Sequence, residues 1–150
     1  MPLGRTIYLD HAATTPTNPA VIEAMLPYWH EVWGNPSSLY AAGRQARAAL
    51  DRARAALAAV LHCHPREITI TSGGSESDNL ALRGVVAEAR RAMPRPHLIT
   101  TAIEHHAVLH TAAALEKDDV DVTYLPVDAY GMVVPDDLAA AIRPETCLVS

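Results

Sequence analysis

Strand-like and helix-like segments alternate from Glu67 to Ser150, and this alternation constrains the fold more than any other feature of the sequence. Four runs rich in apolar and β-branched residues are predicted as strands: 67–71, 97–101, 120–127 and 146–150. Three segments between them are predicted as helices: 75–93, 107–117 and 136–142. Strands that alternate with helices form βαβ units, in which a mostly parallel sheet lies between helices. We therefore predict an α/β fold with a mostly parallel sheet and flanking helices.

The amino-terminal part of the chain has a different pattern. Five prolines between Pro2 and Pro36 keep any helix there short, and we predict a short strand at 7–9 and a short helix at 19–29. From Gly43 to Leu61, apolar residues recur at helical spacing, with arginine and aspartate on the remaining faces. This spacing predicts an amphipathic helix.

The charge and hydropathy of the chain exclude several classes of function. The net charge of −5 and the lack of a basic cluster argue against nucleic-acid binding. The sequence has no run of about 18 apolar residues, so we predict no membrane-spanning helix. The amino terminus lacks the pattern of a signal peptide. Cys63 and Cys147 lie far apart and outside any CxxC pair, which fits a reducing compartment. We expect a cytoplasmic protein that binds neither nucleic acid nor membranes.

A turn with two glycines, TSGGSES at 71–77, joins the first predicted strand to its helix. Glycine allows a ligand to approach the backbone closely, and the free N–H groups at a helix start carry the positive end of the helix dipole. The turn therefore suits a phosphate, with Gly74 and Ser75 among the donors. It is neither a Walker loop nor a GxGxxG dinucleotide fingerprint. A tight turn with a serine cap explains the same residues, so the motif alone leaves both interpretations open.

Two segments that contain histidine are candidates for chemistry. His105 and His106 follow the second predicted strand, where an imidazole can lie against a flat aromatic ligand or act as an acid or base near neutral pH. Solvated residues at a helix start are the alternative. His62, Cys63 and His64 are metal-ligating residue types, but three adjacent side chains do not usually reach one ion and no second ligand pair has zinc-like spacing. We predict no metal site.

Taken together, these segments resemble the amino-terminal part of the cysteine desulfurases, which are pyridoxal-phosphate enzymes of aminotransferase class V with the type I fold. The resemblance covers nearly the whole chain in the order and spacing of the family. It rests on six motifs: YLDHAATTP at 8–16, GNPSS at 34–38, PREI at 65–68, TSGGSESDN at 71–79, EHHAV at 104–108 and LVS at 148–150. The first two are most similar to the group that supplies sulfur for iron–sulfur cluster assembly.

The resemblance implies roles for three residues. Gly74 and Ser75 would bind the phosphate of pyridoxal 5′-phosphate, and His105, rather than His106, would stack on its pyridine ring and take part in proton transfer. The family reaction converts L-cysteine to L-alanine and leaves the sulfur as a persulfide on an enzyme cysteine. The sulfur then passes to an iron–sulfur scaffold or another acceptor protein. Because most members are homodimers, the resemblance also implies a homodimer for the full-length enzyme.

The resemblance also implies a domain organisation. We expect one incomplete domain over 1–150, with an irregular arm and short helix at 1–43, the amphipathic helix at 44–61 and the opening half of the large cofactor-binding α/β domain at 65–150. The last predicted strand ends in mid-run at Ser150, so we expect that the fold is incomplete there. We expect the chain alone to be inactive, because the resemblance implies that the residue that anchors the cofactor and the sulfur-accepting nucleophile are missing.

The sequence contains one lysine, Lys117, in the polar run EKDD at the end of a predicted helix. A lysine that forms a Schiff base is held in the cofactor pocket with a lowered pKa, so we interpret Lys117 as a surface charge. The resemblance implies that the Schiff-base lysine and the sulfur-accepting cysteine of the family have no counterpart here. Two alternatives stay open: another class V enzyme, either an aminotransferase or a selenocysteine lyase, and a non-catalytic truncated product.

Overall fold

The computed structural model describes residues 7–150, so residues 1–6 of the predicted arm lie outside the described part of the chain. Two compact units follow one another in the sequence: the described residues up to Thr69, and Ile70–Ser150. The domain boundaries expected from the sequence, 1–43, 44–61 and 65–150, stay predictions.

The secondary structure consists of helices in the first unit and of alternating helices and strands in the second. The α-helices are α1 (Pro19–Met25), α2 (Pro27–His30), α3 (Ala41–Leu61), α4 (Gly74–Ala89), α5 (His106–Glu116) and α6 (Pro135–Ala141). The strands are β1 (His97–Thr101), β2 (Asp121–Leu125) and β3 (Thr146–Val149), and a short 3₁₀ helix spans Pro65–Glu67.

Local signals explain where the helices of the first unit begin and end. The Asn18 side chain caps α1 by accepting the N–H of Ala20 at 2.9 Å. The single helix predicted at 19–29 is wrong, because Pro27 cannot continue the hydrogen-bond ladder of α1 and instead begins α2. The amphipathic helix is confirmed as α3, which ends at His62 in the left-handed conformation, with φ 53°.

Two strand predictions are wrong. Residues 7–9 form no strand, and Ile7 and Leu9 are 75% and 88% exposed. The run at 67–71 forms none either, because Glu67 belongs to the 3₁₀ helix, where its carboxylate accepts the backbone N–H of His64 at 2.6 Å. A β-branched run becomes a strand only where another strand offers a ladder of hydrogen bonds, and among residues 7–150 neither run pairs with one.

The second unit is built on a parallel sheet of three strands in the order β2-β1-β3. His97 pairs with Asp121 on one side and with Thr146 on the other, and the pairing with β3 shifts register after His97. Helices α4 and α5 bury their apolar side chains against this sheet. The core consists of Leu82, Val86, Leu98, Val108, Ala112, Leu115 and Val120. The predicted α/β fold with a parallel sheet and flanking helices is thus confirmed.

The other element predictions for this unit are confirmed with small changes at the ends. Helix α4 ends at Ala89 rather than at Met93, and β2 is shorter than the predicted 120–127. No helix within residues 7–150 is both long and apolar enough to cross a membrane.

Candidate functional site

The start of α4 is a stretch of open backbone. Gly73 precedes the helix, and no side chain caps its first N–H groups. A Cβ atom added to Gly73 or to Gly74 would meet no heavy atom within 4 Å, so the space above the first turn is free. Ser75, the next residue, is exposed and adds a hydroxyl to this surface. The helix start therefore combines accessible donors with the positive end of the helix dipole.

Side chains on either side of the glycines hold the loop that leads into α4. The Glu76 carboxylate accepts both the backbone N–H and the hydroxyl of Ser72, each at 2.6 Å. These two hydrogen bonds lower the pKa of Glu76 and keep its carboxylate ionised. The Thr71 hydroxyl lies 3.1 Å from the carbonyl oxygen of Gly73 and 2.6 Å from the Ser77 hydroxyl. These hydrogen bonds define the conformation of the loop, while Gly74 and Ser75 are exposed among residues 7–150.

His105 lies at the start of α5, just after the carboxyl end of β1. Its Nδ1 accepts the backbone N–H of Ala107 at 3.1 Å, so the side chain caps its own helix. A neutral imidazole that accepts at Nδ1 carries its proton on Nε2, and this leaves Nε2 as a donor toward a ligand. The neighbouring His106 has a different environment, because its ring stacks on that of His110 with the centroids 5.1 Å apart.

The structure brings Ser75 and His105 to one open cavity of about 390 Å³ between α4 and α5. Gly74 adjoins Ser75 in the chain but does not line this cavity. The remaining lining residues are Asn79, Arg83, His106, Ala107, His110 and Thr111. Asn79 belongs to a motif noted in the sequence but received no role there, and Thr111 had no local signal, because its contact is with another helix.

These residues fit the phosphate and the flat ring of pyridoxal phosphate. The open space above Gly73 and Gly74 would admit a phosphate to the helix start, where anions are stabilised by about 1 kcal/mol, or up to ~2 kcal/mol when partly buried. Arg83 adds a permanent positive charge to the cavity lined by Ser75 and His105. His105, at the start of α5, adds a planar ring to this cavity. The roles predicted for Gly74, Ser75 and His105 are compatible with this geometry and stay predictions.

The lysine and the two cysteines lie outside this cavity. Lys117 is exposed and ends α5, as expected for a surface charge. Cys147 is half-buried in β3 beside the core, and burial raises the pKa of its thiol, which disfavours the nucleophilic thiolate. Cys63 follows α3 in the first unit.

The segment around Cys63 has a structural use. His64 Nδ1 accepts the backbone N–H of Arg66 at 3.2 Å and so caps the 3₁₀ helix. In the part of the chain that the structure describes, no three His, Cys, Asp or Glu side chains are grouped so that they could hold a metal ion.

Comparison with known proteins agrees with the resemblance seen in the motifs. The aminotransferase class-V family matches residues 7–150. A cysteine desulfurase IscS of Methanosarcina thermophila is 52% identical over 146 residues, which are 97% of this chain and 36% of the relative. A putative cysteine desulfurase, IscS 1, of Bacillus subtilis strain 168 is 50% identical and covers 96% of this chain, which spans 38% of the relative. The chain therefore spans little more than a third of the length of these curated relatives.

Solved structures have the same fold over almost all of the chain. A NifS-like protein superposes with a TM-score of 0.88 and 38% identity, over 95% of this chain and 39% of its own. A protein described as SspA in complex with cysteine superposes with a TM-score of 0.87 and 40% identity, over 96% of this chain and 41% of its own. Since sequence and fold agree over nearly every described residue, the chain belongs to the aminotransferase class-V family.

Proposed function

We propose that this chain is the amino-terminal part of a pyridoxal-phosphate-dependent cysteine desulfurase. The observation that carries the proposal is the shared cavity of Ser75 and His105, in a chain that is 52% identical to a cysteine desulfurase over 146 residues. Pyridoxal phosphate, when bound, supplies an electron sink that labilises bonds around the substrate's α-carbon. The described residues would provide its phosphate site and one wall of its ring site.

Each site residue has a distinct task in this proposal. The N–H groups of Gly74 and Ser75 and the Ser75 hydroxyl bind the phosphate at the start of α4. The His105 ring lies against the pyridine ring, and its Nε2 holds or transfers a proton. These residues orient the cofactor, whereas Lys117 is too exposed to anchor it covalently.

The proposed substrate is L-cysteine, which is also named in the description of one structural neighbour. The C–S bond of the substrate breaks, L-alanine leaves, and the sulfur forms a persulfide with an enzyme thiol. The half-buried Cys147 is a poor acceptor for this sulfur because burial raises its pKa. We place the reaction in the cytoplasm, in a homodimer that passes sulfur to an iron–sulfur scaffold or another acceptor protein.

The proposal is tested by incubating the complete gene product with pyridoxal phosphate, L-cysteine and a thiol reductant, and by measuring L-alanine and sulfide. We expect both products in equal amounts. A selenocysteine lyase would release alanine from L-selenocysteine but not from L-cysteine, and an aminotransferase would form a 2-oxo acid. Failure to form L-alanine and sulfide would contradict the proposed activity.

A matched pair of substitutions tests the choice of histidine. His105→Ala should lower kcat by about 100-fold or more, the typical effect of losing a group that transfers protons. His106→Ala should change kcat by no more than about twofold, since the His106 ring stacks on His110 and the proposal gives it no contact with the cofactor. Equal losses in the two variants would show that the assignment to His105 is wrong.

A further inference from the structure

The Asn79 side chain is bonded in two directions at once. Its Nδ2 donates to the carbonyl oxygen of Ser75 at 2.9 Å, within the first turn of α4. Its Oδ1 accepts the hydroxyl of Thr111 on α5 at 2.8 Å and the Nε of Arg83 at 3.3 Å. The amide thus connects the residue that carries the proposed phosphate donors to a different helix.

The contact with Thr111 is well protected from water. Thr111 is 3% exposed, and its hydroxyl donates to Asn79 Oδ1. An unpaired polar group at such a buried position would lower the stability of the fold. Among the side-chain hydrogen bonds of residues 7–150, this is the one that joins α4 to α5. It lies about one turn beyond Ser75 on α4 and less than two turns beyond His105 on α5.

Among residues 7–150, no other side-chain hydrogen bond ties the start of α4 to α5. The contacts of Thr71 and Ser72 with Ser77 and Glu76 are local, because both partners belong to the same loop and first turn. Gly73 and Gly74 have no side chains to pack, and the apolar contacts of α4 with the core begin at Leu82, two turns further on. The first turn of α4 therefore depends on a polar contact for its position relative to α5.

We infer that the Asn79–Thr111 hydrogen bond fixes the distance between the start of α4 and the start of α5. Asn79 and Thr111 are therefore positioning residues for the phosphate site. This inference rests on the proposed function, since it concerns the phosphate of the same cofactor. The pair lines the same cavity as Ser75 and His105. It acts through Ser75, whose carbonyl oxygen it holds, and through the spacing between Ser75 and His105.

The test compares the affinity of the complete gene product for pyridoxal phosphate with its affinity for pyridoxal, which lacks the phosphate. The ratio of the two Kd values reports on the phosphate site alone. Asn79→Ala and Thr111→Val remove the same hydrogen bond from opposite sides, and each should weaken pyridoxal phosphate binding about fivefold to tenfold. Pyridoxal binding should change by less than about twofold. Asn79→Ala also removes the hydrogen bonds of Asn79 with Ser75 and Arg83, so the double variant should lose little more than Asn79→Ala alone.

Two control variants separate positioning from general destabilisation. Thr111→Ser keeps the hydroxyl and should retain the wild-type ratio. Thr100→Val makes the same chemical change as Thr111→Val at a threonine that is 0% exposed and whose hydroxyl has no partner among residues 7–150, so it should leave the ratio unchanged. If the wild-type protein binds pyridoxal phosphate far better than pyridoxal but both bond-removing variants keep that ratio, the inference is wrong while the proposed function stands. A wild-type protein with no preference for the phosphate would overturn both.

Discussion

His97 begins the central strand of the sheet and is 1% exposed, yet both of its ring nitrogens are bonded. Nδ1 lies 2.8 Å from the Thr146 hydroxyl of β3, and Nε2 lies 2.8 Å from the Thr123 hydroxyl of β2. The Thr146 oxygen also accepts the backbone N–H of Arg143. Because a threonine hydroxyl can both donate and accept, these two contacts suit either neutral tautomer of the ring. His97 thus links all three strands.

The first residue-scale prediction is a loss of stability when the pH falls below 6.5. Burial lowers the pKa of His97, and the charge of Arg143 adds to this effect, against the opposing charges of Asp121 and Glu145. Below pH 6.5, the ordinary pKa of histidine, the unfolded state therefore binds a proton at residue 97 more readily than the folded state does. The free energy of unfolding should thus be fully retained above pH 6.5 and decline below it.

His97→Asn isolates this contribution, because asparagine keeps hydrogen-bonding groups but does not titrate. Urea unfolding of both proteins from pH 7.5 to pH 5 measures it. The variant should be less stable at neutral pH and should lose less stability on acidification than the wild type. The other seven of the eight histidines are common to both proteins, so parallel pH curves would contradict the role given to His97.

A second residue-scale prediction concerns the buried hydroxyl of Thr100, which has no partner among residues 7–150. Thr100→Val replaces this hydroxyl with a methyl group of similar size and should raise the free energy of unfolding by about 1 kcal/mol. Thr111→Val, which removes a bonded hydroxyl, should lower it by a similar amount. Urea denaturation followed by circular dichroism measures both. A loss of stability in both variants would mean that the Thr100 hydroxyl is bonded.

At the scale of the elements, the first unit depends on how closely α3 approaches the loop before it. Asn35 forms a turn by accepting the N–H of Ser37 at its side chain and that of Ser38 at its backbone. Gly43 of α3 lies against this turn, and a Cβ atom there would be 2.2 Å from the carbonyl oxygen of Ser38. The GNPSS motif can thus lie close to α3 only because residue 43 is glycine, which has no Cβ atom.

Gly43→Ala should destabilise the first unit by about 1–3 kcal/mol, because backbone atoms cannot yield to the added methyl group. Gly84→Ala is the matched control in α4, where a Cβ would meet nothing within 4 Å. That control should stabilise by up to about 1 kcal/mol, since alanine favours the helix over glycine. Urea denaturation gives the stability, and hydrogen exchange of α3 peptides localises the loss. A stabilising effect at both glycines would refute the close approach of α3 to the loop.

For the molecule as a whole, the parallel sheet separates two ends with different chemistry. His105 follows the carboxyl end of β1, the end of a parallel sheet where ligands bind. His105 begins α5 and Lys117 ends it. At a rise of 1.5 Å per residue, the two residues lie about 18 Å apart along the helix axis. The candidate site and the single lysine therefore belong to opposite ends of the second unit.

From this separation we predict that the 150-residue chain forms no specific adduct with pyridoxal phosphate at Lys117. Borohydride reduction followed by mass spectrometry of the peptides measures the labelling. The folded chain and the chain unfolded in urea should be labelled at Lys117 to the same low extent, as expected for an exposed amine outside any binding pocket. Selective, stoichiometric labelling of the folded chain would contradict this interpretation.

Local properties of the sequence were sufficient to predict the class of fold, the helices α3, α4 and α5, and the strands β1 to β3. The spacing of apolar residues and the positions of glycine and proline determine these elements within a few neighbouring residues. Local properties also drew attention to the turn at Gly74 and Ser75 and to the pair His105 and His106, and the family resemblance then selected Gly74, Ser75 and His105. The tertiary structure alone decided that 67–71 is not a strand, that Ser75 and His105 share a cavity, and that Asn79 reaches Thr111 across 32 residues. Strand pairing and contacts between helices depend on residues that are distant in the chain, and a local sequence pattern does not identify those residues.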